Sequence, residues 1–126
     1  MRSRSRLSAE SARRSADALR IARDRLAADD YVRCIRESYD AAFYAAGAVL
    51  VSRGMKAGTH ERLRAGLVDL AAAGVVPADM SFRLSDLFDS RSEAAYRIAR
   101  TWSREEAAGV LAEAEGLVSD LPAAVE

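Results

Sequence analysis

Tyr31-Val-Arg-Cys-Ile-Arg-Glu-Ser-Tyr-Asp-Ala-Ala-Phe-Tyr-Ala-Ala-Gly-Ala-Val-Leu-Val-Ser-Arg53 is the most apolar and most uniformly helix-forming segment of the chain, and the fold follows from it. Arg33, Arg36, Glu37 and Asp40 recur at three- and four-residue steps, which predicts one polar face carrying Arg33–Glu37 and Arg36–Asp40 pairs. Ile35, Tyr39, Ala42 and Phe43 then turn inward. Beyond Asp40 the polar face stops. The positions that would continue it are Tyr44, Gly47 and Val51, and no charge returns before Arg53. A helix apolar all round must be covered all round, by other helices or by a second copy of the chain. The uncharged run falls short of the roughly 18 residues a membrane span needs, so no membrane role is expected.

Outward from this spine, 126 residues suit one domain with a single core. Two prolines and an alanine, arginine and leucine excess favour an all-α fold. The 19 basic and 19 acidic residues cancel, which argues against a protein that coats nucleic acid non-specifically. The charge is uneven along the chain. Residues 1–25 carry eight arginines against three acids, a net +5, and residues 103–126 carry one arginine against six acids, a net −5. Either the first and last helices lie side by side with complementary charge, or the basic end touches phosphate. A lone cysteine, Cys34, fits a reducing cytoplasm, and with the single histidine His60 it cannot build the usual Cys/His zinc site within one chain. No cofactor is implied.

In chain order, residues 1–7 read as a flexible basic tail and 8–122 as one helical domain. Ser8 caps a first helix striped by Ala12, Ala16, Leu19, Ala22 and Leu26. Asp29 and Asp30 cap the spine helix and Gly54 ends it. Thr59 caps a shorter third helix that stops at Gly74. Pro77 precedes a fourth, where Met80, Leu84, Leu87, Ala94 and Ile98 share a face interrupted by Arg91. Ser103 and Glu106 form a capping box for the last helix, which stops at Pro122. The expected architecture is an antiparallel up-down bundle of four long helices plus one shorter one.

Composition and periodicity go no further. Ser38-Tyr-Asp-Ala-Ala-Phe-Tyr-Ala-Ala46, then Gly54, then Thr59-His60, then Arg91-Ser-Glu-Ala-Ala-Tyr96 resemble, in that order, the HEPN family (higher eukaryotes and prokaryotes nucleotide-binding), and within it the small stand-alone bacterial proteins. The resemblance implies a helical bundle that often dimerises, a nucleotide or RNA ligand, and a minimal nucleotidyltransferase as partner in toxin–antitoxin or defence pairs. Many members are metal-independent ribonucleases with an Arg-x(4–6)-His motif. Here the positions for that histidine are Tyr96, Arg97 and Ile98, so the general acid/base of the ribonuclease members is missing. Asp40 and Ala95 also depart from the family's tyrosine and aspartate.

The resemblance therefore implies a nucleotide- or RNA-related binding and partner-binding module in which Arg91, Tyr96 and Asp40 meet the nucleotide. The rivals are a weak ribonuclease using Arg91 with Tyr96 or His60, and a purely structural dimerisation subunit with Tyr44, Gly47 and Val51 at its interface. Each residue has a plainer alternative. Arg91 can pair with a carboxylate such as Asp40, His60 can anchor a loop, and Tyr39, Phe43 and Tyr44 can be packing. Tyr96 lies about 140° round a straight helix from Arg91, so the two share a cleft only if Ser90-Arg-Ser-Glu93 breaks and restarts that helix.

Overall fold

Asp30 accepts the amide of Arg33 and starts the spine helix, and Gly54, at φ 76°, ends it by letting the Met55 amide reach back to the Leu50 carbonyl at 3.0 Å. The computed structural model describes residues 3–96 and 100–122. These form α1 (Arg4–Ala27), α2 (Tyr31–Ser52), α3 (His60–Ala72), α4 (Met80–Tyr96) and α5 (Arg104–Asp120), with no strand among the described residues. Asp29, at φ 60°, closes α1 through the Asp30 amide to the Arg25 carbonyl (2.8 Å), while Asp30 caps α2, so the two aspartates serve different helices. Thr59 and the Ser103/Glu106 capping box start α3 and α5 where the sequence places them.

α1 begins earlier than its Ser8 cap predicts. Ser3 accepts the Arg6 amide and is the cap, so residues 4–7 are helix rather than tail. Ser8 is needed elsewhere. Its hydroxyl donates to the Ala48 carbonyl at 2.6 Å, Ser11 donates to Tyr44 at 2.7 Å and Ser15 to Ala41 at 2.7 Å. This ladder makes α1 antiparallel to α2 and sets the two backbones one serine side chain apart. The buried stripe of α1 is accordingly Ser8, Ser15, Ala18, Leu19 and Ala22. Ala16, assigned to the stripe from sequence, is exposed.

α2 touches each of the other four helices, which is why its apolar stretch runs all round. Ile35 and Leu50 are fully buried, each contributing about 1.5–3 kcal/mol. At the crossing with α3, Gly66 lies so close that a Cβ there would strike the Leu50 side chain. α5 runs antiparallel to α1. Arg23 pairs with Glu115 (2.6 Å), the sense of charge expected of a basic first and an acidic last helix, whereas Arg104 of α5 pairs in the opposite sense, reaching the Leu26 carbonyl (3.0 Å) and Asp29 (2.8 Å). Arg83 of α4 pairs with Asp120 at 2.8 Å. None of the described helices is long and apolar enough to cross a membrane.

α4 is unbroken from Met80 to Tyr96, so Ser90 and Glu93 do not restart it. Glu93 instead pairs with Arg100 (2.6 Å), whose guanidinium lies 3.5 Å from the Trp102 ring centroid and also pairs with Glu106. Ile98, placed on the α4 stripe from sequence, lies outside the described residues.

Candidate functional site

Three helices converge at Tyr39 of α2. Its ring is 5% exposed, yet its hydroxyl needs a polar partner, and finds it in His60 Nδ1 at 2.8 Å. His60 is the first residue of α3 because Thr59 caps there, and that fixes the imidazole beside α2. Phe88 of α4 closes the third side, stacked on His60 (centroids 4.0 Å apart, planes at 20°) and edge-on to Tyr39 (5.6 Å). Three residues on, Arg91 sits on the same face of α4 with its guanidinium 5.8 Å from the Tyr39 ring centroid.

Burial pushes the Tyr39 phenol above its usual range, opposed by the Arg91 charge. Burial likewise pulls the His60 imidazole below its usual value; Glu61 and Asp89 oppose this and Arg64 reinforces it. Both groups are therefore neutral near pH 7. The phenol is the better donor and the imidazole nitrogen the better acceptor, so Tyr39 donates to Nδ1 and the proton of His60 sits on Nε2.

Asp40, next along α2, is half-buried. Burial raises its carboxyl above the usual range, and the guanidinium charges of Arg91 and then Arg36 draw it back. Neither Asp40 nor Arg91 joins an ion pair within 4.0 Å among the described residues. The Arg33–Glu37 and Arg36–Asp40 pairs expected from spacing do not form. Arg33 lies 3.6 Å from the Asp30 cap instead, and Arg36, Glu37 and Asp40 line a groove of about 260 Å³ together with Arg25 and Arg33.

The structure thus brings Arg91, Tyr39, His60 and Asp40 into one neighbourhood and leaves Tyr96 out. With α4 unbroken, Tyr96 stays on another face and is 77% exposed. Of the three residues proposed for an interface, Gly47 is buried inside the chain, where a Cβ would meet Ser11 Oγ at 3.4 Å and Ala57 Cβ at 3.8 Å. α1 supplies the cover that the apolar face of α2 called for. Tyr44 and Val51 remain partly exposed and border a groove of about 360 Å³ with Leu7, Ser11 and Arg14. Arg14 lies 5.7 Å from the Tyr44 ring centroid. Phe43 links the two regions, at 6.0 Å from Tyr39 and 5.8 Å from Tyr44. Sequence reasoning missed Phe88. Its signal was present, since Leu84, Phe88 and Arg91 follow four- and three-residue steps along one face of α4.

Compared with known proteins, the chain matches the family model described as HEPN domain over residues 8–122, nearly its whole length. No curated protein matches it.

Proposed function

The chain belongs to the HEPN domain family, and from that premise we propose that it is a nucleotide- or RNA-binding and partner-binding module in which Arg91 takes a phosphate of the ligand. One observation carries this reading: Arg91 is a permanently charged, half-buried side chain with no ion pair among the described residues. A guanidinium fixed for packing alone would sit against a carboxylate. Asp40 is near enough to feel its charge but does not form that pair. Arg91→Ala should therefore leave the melting temperature unchanged or raised. It should also weaken binding of a short single-stranded RNA and lower the salt dependence by about one counterion. A large loss of stability with no RNA bound by the wild type overturns the assignment.

A second reading, a weak metal-independent ribonuclease, is favoured by one contact. Tyr39 ties His60 into the same cluster as Arg91, and among the described residues Nε2 has no hydrogen-bond partner. His60 is then the general acid/base that the fourth helix lacks, and Tyr96 has no part. RNA cleavage that persists in EDTA and disappears in His60→Ala supports this reading; no cleavage by the wild type removes it. As a binding module the protein is a homodimer and one half of a nucleotidyltransferase–HEPN toxin–antitoxin or defence pair. Co-purification from the native cell tests the pairing, and recovery without a nucleotidyltransferase counts against it.

A further inference from the structure

Asp40 has no evident structural use. It is half-buried, and among the described residues it accepts no hydrogen bond and joins no ion pair. Removing a carboxylate from water without a partner costs stability, so a side chain kept this way awaits donors from outside the fold. It lines the groove walled by Arg25, Arg33, Arg36 and Glu37, and Arg91 is the cation that acts on it most strongly. Arg25 and Arg36 make no ion pair among the described residues, which leaves two planar cations beside the carboxylate.

A carboxylate presents two acceptor oxygens side by side. Among the four RNA bases, only guanine presents two adjacent donors, its ring N1–H and its exocyclic amino group. Adenine and cytosine place a ring acceptor beside the amino group, and uracil flanks its single N–H with two carbonyls, so each sets an acceptor against a carboxylate oxygen. We propose that Asp40 selects guanine in single-stranded RNA, receiving the base's two donors in the α1–α2 groove while Arg91 holds a neighbouring phosphate. This rests on the phosphate-binding role of Arg91. Arg25 and Arg36 supply flat guanidinium surfaces for the base and positive charge for the backbone.

The test is fluorescence anisotropy at low salt with the labelled tetranucleotides UUGU, UUAU, UUCU and UUUU. Wild type should bind UUGU on the order of ten-fold more tightly than UUUU. Asp40→Asn keeps the size but replaces one acceptor by a donor. It should bring UUGU down to the level of UUUU, leave UUUU unchanged or tighter, and melt no lower than wild type. Arg91→Ala should weaken all four alike. Equal wild-type affinity for the four, with binding still dependent on Arg91, overturns guanine selection and leaves the phosphate site standing. A guanine preference that survives in Asp40→Asn also overturns it. Failure of wild type to bind any of the four overturns both readings.

Discussion

His60 is the residue whose state is most open to measurement, because it is the only histidine in the chain. Its imidazole is held neutral by burial, stacked on Phe88, and used as an acceptor by Tyr39. The pKa is lower in the folded than in the unfolded chain. Between the two values the unfolded chain takes up a proton that the folded chain refuses. The stabilisation is complete above the unfolded value near 6.5 and is lost as pH falls from there through the folded value. Asp40 and Glu37, raised by burial, act in the opposite sense, since their folded forms take the proton more readily. The denaturant midpoint of wild type minus that of His60→Gln should therefore shrink between pH 7.5 and pH 5. A difference constant across that range would mean the imidazole is not held neutral.

At the level of the element, the contact between α1 and α2 rests on Ser8, Ser11 and Ser15 rather than on large apolar side chains. Each hydroxyl donates to a carbonyl of the opposing helix, so its loss leaves no charge exposed. Ser15→Ala should cost about 1 kcal/mol, the net worth of an ordinary hydrogen bond. Ser15→Leu should cost more, about 1–3 kcal/mol, because Ser15 is buried and a larger side chain must push the helices apart. Equal costs in urea titrations would mean that α1 can lift away from α2 without penalty. The caps, by contrast, were legible in advance. Asp30, Thr59, Ser103 and Gly54 act where their chemistry places them, because a cap is satisfied by groups within four residues of itself.

For the whole molecule, Leu7, Tyr44 and Val51 form the apolar border of one groove on the surface of the bundle. Leu7 is 40% exposed and shares the groove with the other two. If a second copy seats there, light scattering should give twice the chain mass, and the double variant Leu7→Glu/Val51→Glu should give the monomer with its melting transition still cooperative. A wild-type monomer at tens of micromolar would leave that groove without a dimer. Salt should weaken the ties between α1 and α5 only slightly. Arg23 and Glu115 are both substantially exposed, and Arg23→Ala should change stability by no more than about 1 kcal/mol.

The sequence by itself determined the helical class, the order of the elements, most of their ends, the central place of α2 and the family to which the chain belongs. Those properties are written in periodicity, caps and ordered motifs, which act over a few residues and so survive without knowledge of distant neighbours. Only the tertiary structure decided which groups meet. Tyr39 and His60 are 21 residues apart, and nothing local joins them. Spacing alone paired Arg36 with Asp40, and only a helix restart at Ser90-Arg-Ser-Glu93 would turn Tyr96 back beside Arg91. In the fold Arg36 and Asp40 line one groove without pairing, and an unbroken α4 keeps Tyr96 on another face from Arg91. Gly47 turned from surface to interior for the same reason, because burial is settled by the helix that arrives from elsewhere in the chain and not by the residue itself.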